Sequence, residues 1–479
     1  MKKLNLRSLI VCWGLLSILS MSAQEKLSVK AMHEDIDYYF NAIKEMHPHP
    51  YAKYTESQLD SVKLQLYKDC SHPMNLLDFN FLLAKTSKYT DGHTCVYPPQ
   101  YNLTSDEKDN LFPPVKFKEG KILLNECVVQ SINGIPSSKI VQELDGLVSW
   151  QMHPKKREDN MNYNLTALLY KVFHISTPFV CRIQNKETDG VVRDLIVKPV
   201  KIKDYSLHKE LNKNYSAGAL PYEYFPNDSI AVLFYNTSHI LGNKPLEKAM
   251  DQFTKVFFEQ IKQQKMKYLF IDVSQNGGGS DNAHKYFFRS LKTKPYKYTN
   301  YKMETLKGGL KRNEFYCLME TNCKTKEDLP INKHKELNNS NIRLEKTIKK
   351  LQKKGELKET CKFKGNETGF DGKVFIIMGN NTYSAAYDFC EQAKWHKAGL
   401  LVGEESGQYS PYAGNVCLDK LPNSGIDFGF ATTYFWTVPD LPKRDGFLQP
   451  DIPYDLSMPL EMKDYKEIIR LSDELNSYR

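Results

Sequence analysis

Two groups of residues in this chain have types and spacing that suit acyl-transfer chemistry at a serine, and any of its twelve histidines is a possible base. Ser384 lies in Thr382-Tyr383-Ser384-Ala385-Ala386, a glycine run occupies Gly277-Gly278-Gly279, and His93 lies in Asp91-Gly92-His93-Thr94. A hydroxyl is a weak nucleophile until a base such as imidazole takes its proton. Bare backbone N–H groups, which glycines leave accessible, can hold the oxyanion that then forms. Each of these also has a plainer reading. The glycines could simply make a tight turn, Ser384 could be an N-cap that satisfies an orphan amide, and His93 could hydrogen-bond locally in its loop.

The elements that must position these groups are legible from periodicity. Tyr268 to Val273 is an apolar, β-favouring run, which predicts a strand buried on both faces, and Ala283 onward predicts a helix. Val374 to Met378 predicts a second buried strand. It runs into the polar turn Gly379 to Thr382, after which Ser384 opens a helix closed by Gly399. The N-terminal part reads as helical. Ile36, Tyr39, Phe40 and Ile43 share one face; Leu59, Val62 and Leu66 share another behind the capping pattern Thr55-x-x-Gln58; and a third helix, about Leu76 to Lys88, delivers His93 to its exit loop. From about Asp109 to Pro199 the pattern changes to short strands at Val115 to Phe117, Lys121 to Leu124 and Val128 to Ile132, then the turn Asn133-Gly134 and a short helix with Ile140, Val141 and Leu144. Ser229 to Phe234 is a further apolar strand, followed by the helix Leu246 to Lys262, and Ile426 to Val438 alternates like a half-buried strand.

Several functions are disfavoured. The stretch around the glycines lacks GxxxxGK[ST], and a GxGxxG reading fails at Asn282. The ten cysteines form no CxxC pair, and His47 and His49 lack the carboxylate-histidine motif of a metal site, so no metal and no cofactor is expected. Met1 to Ala23 has Lys2, Lys3 and Arg7 ahead of the apolar run Leu9 to Leu19, with small residues near Ser22 and Ala23; this predicts a secretory signal and a periplasmic or secreted protein. Without it the formal charge falls from +9 to +6, and an odd number of cysteines remains, leaving at least one free thiol. Lys292 to Lys364 holds 20 Lys and Arg against 9 Asp and Glu and reads as a basic insertion. Leu344, Ile348 and Leu351 give it at least one packed helix, and Cys317, Cys323 and Cys361 are candidates to cross-link it.

Taken together, the run from Asp272 to Gly279 (Asp-x-x-x-Asn-Gly-Gly-Gly) and the later Thr382-x-Ser384-Ala385-Ala386 resemble the tail-specific (C-terminal-processing) and tricorn-type serine proteases. The resemblance implies an α/β fold: a crotonase/ClpP-like ββα-superhelix core at about 220–479 carrying the insertion 292–364. It also implies an N-terminal helical segment at 24–100 and an embedded PDZ-like β-module at 101–205. It implies Ser384 as nucleophile, His93 as general base, the N–H groups of Gly277 or Gly278 and Ala385 as oxyanion hole, and Asp445 or Asp91 to orient the imidazole.

The sequence departs from the family at three places. Gln408 stands where the Ser-Lys enzymes place their lysine, and glutamine cannot accept a proton, which favours the histidine-based branch. Gly92 stands where tricorn-type enzymes have a serine, and Asp445 lies one residue out of register with the family's Glu-Gly-x-Gly-Val-x-Pro-Asp element. His239 and His284 are rival bases that fall where the family keeps none, and they read as surface or packing histidines. The expected substrates are peptides or protein tails, with no nucleic acid. A non-catalytic binder of apolar ligands or peptides on the same fold, and an esterase, are the alternatives. Because the insertion joins the glycine loop to the nucleophile strand, it is expected to overhang the site as a basic lid that favours acidic peptides.

Overall fold

The computed structural model describes residues 26–97, 103–184, 191–201, 220–239, 244–352, 358–438 and 446–477. The secretory-signal reading and the Asp445 assignment lie outside these residues.

Three helices open the described chain: α1 (Val29–Met46), α2 (Glu56–Asp69) and α3 (Leu76–Ala84). Each starts where a polar side chain satisfies a free amide. Ser28 accepts from Ala31, Asn75 accepts from Asp78, and Thr55 and Gln58 form a reciprocal capping box. The third helix is shorter than its sequence pattern predicts, because the chain tightens into a 3-10 turn at Lys85–Tyr89 before the His93 loop. Strand β1 (Cys95–Val96) follows that loop directly.

A β-module comes next, with β2 (Lys116–Lys118), β3 (Lys121–Leu124), β4 (Cys127–Ile132), β5 (Phe179–Gln184) and β6 (Val192–Val197) hydrogen-bonded in the order β2-β3-β4-β5-β6. Two helices join β4 to β5, α4 (Ser137–Gly146) and α5 (Pro154–Lys171). Periodicity does not announce the second of these. It buries Asn162, Asn164 and Thr166 beside Leu165, Leu168 and Leu169, and Asn162 exchanges hydrogen bonds with the backbone of Val115 at 2.8–2.9 Å. A helix whose buried face is half polar leaves little hydropathy signal.

The core is a sheet in the order β16-β13-β12-β9-β8-β7. It comprises β7 (Tyr222–Phe225), β8 (Ile230–Phe234), β9 (Tyr268–Asp272), β12 (Lys373–Met378), β13 (Leu400–Gly403) and β16 (Ile452–Pro453), and every pair is parallel except β7 with β8. Parallel strands covered on both faces must be apolar throughout, and β9 and β12 are. On one face Ile271 and Ile376 pack with Phe257 of α6 (Lys244–Gln263), Phe287 of α7 (His284–Phe288) and Phe389 of α10 (Ala385–His396). On the other, Phe270 and Phe375 stack at 4.6 Å beneath Tyr465 and Ile468 of α11 (Met462–Ser477).

The insertion leaves this core as β10 (Tyr296–Glu304), crosses α8 (Leu306–Thr321) and α9 (Ile331–Gln352), and returns as β11 (Lys358–Phe363). It joins a second sheet with β14 (Tyr412–Lys420) and β15 (Asp427–Val438). In that sheet β15 pairs with β10, with β14 and, near its start, with β1. The eight described cysteines are all free, including Cys317 and Cys323, so the cross-link considered for the insertion does not join those two, and the Cys361 side chain lies outside the described set.

Because Phe375 is fully buried against Phe270 between two layers, Phe375→Ala should lower unfolding free energy by about 3–5 kcal/mol, read from the shift in urea midpoint at unchanged slope.

Candidate active site

β9 and β12 are adjacent and parallel, with Asp272 opposite Ile377, so the loops that leave their C-terminal ends emerge side by side. Ligand sites in open α/β sheets form there. The first loop carries the glycines and the second carries Ser384.

Asn276 ties the loops together. Fully buried, it donates from Nδ2 to Tyr235 O (2.9 Å), accepts the Gly278 N–H at Oδ1 (2.9 Å), and takes the Tyr383 N–H on its own carbonyl (3.1 Å). Thr382 Oγ1 donates to Val273 O (2.9 Å) and accepts from Gly379 N (3.0 Å). Two of the three glycines are dictated by close approach. A methyl on Gly279 (φ 138°) would sit 2.4 Å from the Ser238 carbonyl, and one on Gly278 (φ 105°) would sit 2.7 Å from Ser384 Cβ.

Ser384 occupies the N-cap position of α10, but its side chain caps nothing, and its backbone stands at φ 52°, ψ −124°. A left-handed φ at a non-glycine residue costs free energy and is held only where the surroundings over-determine it. The plain capping role is therefore absent, and the serine stands at a strained strand-to-helix turn of the kind that presents a nucleophile. Gln408, fully buried, accepts the Ser384 N–H at Oε1 (3.3 Å) and donates from Nε2 to Tyr409 O (3.0 Å). It is a fixed strut under the Ser384 turn. Of the amides proposed for an oxyanion, Gly278 N–H is engaged by Asn276, whereas those of Gly277 and Ala385 carry no hydrogen bond among the described residues.

The His93 ring stacks on Tyr383, the residue before Ser384, with centroids 4.9 Å apart. Both its ring nitrogens are buried without a hydrogen-bond partner among the described residues, Ser384 Oγ included. Asp91 does not hold the imidazole. Its Oδ1 accepts the His93 backbone N–H (2.8 Å), and its Oδ2 faces His47 Nε2 (2.8 Å), a buried pair that sequence reasoning missed for want of any local signal. Burial alone would raise the Asp91 pKa, but the charge and hydrogen bond of His47, with His93 behind, hold it below the usual carboxylate range. Burial pushes His93 down to about 4; Asp91 opposes this and Lys156 adds to it. Lys156 is a second missed residue. Its Nζ lies 4.5 Å over the Tyr383 ring, and burial lowers its own pKa to about 8.

Tyr383 also accounts for Gly92, since a β-carbon there would fall 1.9 Å from the Tyr383 hydroxyl, leaving no room for a serine. His239 is exposed and shares a cavity wall with Ser384, while His284 is buried among Phe288 and Phe389. No cluster of metal-binding side chains occurs among the described residues.

That cavity, about 910 Å³, opens on Ser384 and Gly277 to Gly279; α8 of the insertion supplies Phe315, Tyr316 and Met319 to its wall, and β10 supplies Lys302. Gly92→Ala should lower stability and Ser384 reactivity together, and Tyr383→Phe in the same chain should recover part of both. Thermal unfolding and labelling by a serine-directed probe measure the two effects.

Residues 239–426 match the model of Peptidase family S41. The chain is similar in structure to mature CPAF complexed with lactacystin, at 14% identity over 94% of this chain and 98% of that one with a TM-score of 0.53. It is likewise similar to mature CPAF alone, at 14% identity over 92% and 96% with a TM-score of 0.53. At that identity the likeness speaks for the fold. No curated protein matches the chain. The matched stretch holds both the glycine loop and Ser384, so residues 239–426 form a serine-type peptidase region of the S41 kind within an α/β fold.

Proposed function

We propose that the chain is an exported peptidase that cleaves peptide bonds in peptides or protein tails, with Ser384 as nucleophile and His93 as general base. The observation that carries this reading is the Ser384 backbone: a non-glycine residue at φ 52°, at a helix start, with a side chain that caps nothing. The peptide carbonyl would enter the cavity over Gly277 to Gly279, and Ser384 Oγ would attack its carbon. The free amides of Gly277 and Ala385, the latter at the positive end of α10, would take the developing oxyanion. Gly278 serves by its absent side chain, its amide being held by Asn276.

His93 would receive the Ser384 proton and return it to the leaving amine. Its ring is stacked on Tyr383 in the free protein, so the reading requires the ring to turn toward the Ser384 hydroxyl when substrate binds. Asp91 supports the base through its backbone amide, and Asp445 is kept as the candidate that orients the ring. His239 is the rival base, favoured by its place on the cavity wall with Ser384. Export rests on the N-terminal sequence pattern; among the described residues no helix is long and apolar enough to cross a membrane.

A fluorophosphonate probe should label the protein, and Ser384→Ala should abolish labelling. His93→Ala should lower peptide turnover by a hundredfold or more, and His239→Ala less than threefold; the reverse pattern assigns the base to His239.

A base is active when neutral, and burial keeps His93 neutral down to about pH 4 in the free protein, so the acid limb of kcat/KM should fall near pH 4 rather than near the ordinary value of about 6.5. The same depression means the unfolded chain binds more protons than the folded one between about 6.5 and 4. Stability should therefore be complete above pH 6.5 and decline as pH falls through that window, a decline that His93→Gln should lessen in unfolding scans.

A further inference from the structure

The charge of the insertion is a poor guide to the charge of the cavity beneath it. α8 turns Phe315, Tyr316 and Met319 toward the cavity, and Lys302 is the lysine among the described residues that line it. The facing wall is built by α10 and the turn before α7, and it is acidic. Along α10 the cavity is lined by Ala385, Asp388, Glu391, Gln392 and Trp395, one face of the helix at spacings of three and four, and Asp281 stands beside them from the preceding turn.

We propose that this cavity is the specificity pocket of the peptidase and that it takes a cationic side chain, lysine or arginine, near the scissile bond, with Asp388, Glu391 and Asp281 as the selecting carboxylates. The proposal rests on Ser384 being the nucleophile, since it is the shared wall with Ser384 that makes the cavity a place where substrate must lie. Two of the carboxylates are fixed before any ligand arrives. The Tyr412 hydroxyl donates to Asp388 Oδ1 at 2.6 Å and the Tyr387 hydroxyl to Glu391 Oε1 at 3.1 Å. Both tyrosines are buried, so the oxygens cannot swing out to solvent.

The aromatic rings of Tyr316 and Trp395 offer a lysine or arginine what its two chemistries need: apolar surface for the methylene stem and a π face for the charge. Burial, offset in part by the Tyr412 hydrogen bond and reinforced by Glu391 and Asp281, pushes the Asp388 pKa well up, and an ammonium or guanidinium placed beside it would favour its charged form. A glutamate or aspartate in the same place would meet the acidic wall of Asp281, Asp388 and Glu391 and be disfavoured.

The test uses binding, so that it does not depend on turnover. Capped pentapeptides of alanine with a central lysine, norleucine or glutamate are titrated against full-length Ser384→Ala at low ionic strength. Norleucine keeps the stem and removes the charge. Lysine should bind at least tenfold tighter than norleucine, and glutamate should be weakest. In Asp281→Asn, whose side chain is exposed and cannot compromise folding through the core, the ratio should shrink severalfold. In Glu391→Gln it should fall to threefold or less, with thermal unfolding as the check on that buried site.

Equal binding of lysine and norleucine, including no measurable binding of either, or a preference for glutamate, overturns the pocket assignment. Fluorophosphonate labelling of the wild-type chain reports separately on Ser384. Labelling without a lysine preference sinks the pocket and leaves the nucleophile standing. A lysine preference without labelling sinks the nucleophile and leaves a cation-binding cavity.

Discussion

Two backbone segments meet at Gly278 and Ser384 with no space for a methyl group between them, and the rest of the site is arranged to hold them there. The contact is possible because β9 and β12 lie in register, so their exits are neighbours. It persists because Asn276 spends its side chain and its carbonyl on both loops at once, and Thr382 braces the second loop against Val273. Strain at Ser384 is affordable only within such a bracing. A left-handed serine on an unbraced loop would relax to an ordinary cap, satisfying an amide and losing its exposure over the glycines.

Much of this was legible from the chain alone where physics acts locally. The two buried strands show as apolar runs, the glycines as a demand for close approach, and Ser384 as the opening of a helix, because each signal is contained in a few consecutive residues. The capping box at Thr55 and Gln58 was legible for the same reason. What the sequence hid are the relations between distant residues. Nothing near His47 announces that it meets Asp91, and nothing in the run Pro154 to Arg157 announces that Lys156 will lie on the ring of Tyr383. The polar buried face of α5 hid the helix itself. The insertion's summed charge was readable, but which of its residues line the cavity, Lys302, Phe315, Tyr316 and Met319, was not.

Gly92 and Gln408 show how one residue constrains another. Both bear on the space around Tyr383 and Ser384. The tyrosine hydroxyl fills the volume a side chain at position 92 would need, and Gln408 holds the Ser384 amide from the opposite strand end. Neither residue is intelligible on its own. Together they describe a site built around a buried aromatic ring that the imidazole rests on.

His93 and Ser384 also belong to different hydrophobic cores. The loop that carries His93 leads into β1, whose Val96 packs with the N-terminal helices and with Phe428 and Phe430 of β15. Ser384 rides on a helix whose Tyr387 and Phe389 pack with the central sheet. His93 is made long before Ser384, but its core is complete only once Phe428 and Phe430 have followed, and the two residues meet only after a loop of nearly three hundred residues has closed. The entropic toll of that closure is small, about 2 kcal/mol beyond a loop a tenth as long, but the topology makes the meeting a late event. A nascent chain threading outward through a narrow channel, or a fragment released by breakdown, carries one of these two residues without the other, and the proposed pair comes together only when the molecule is whole.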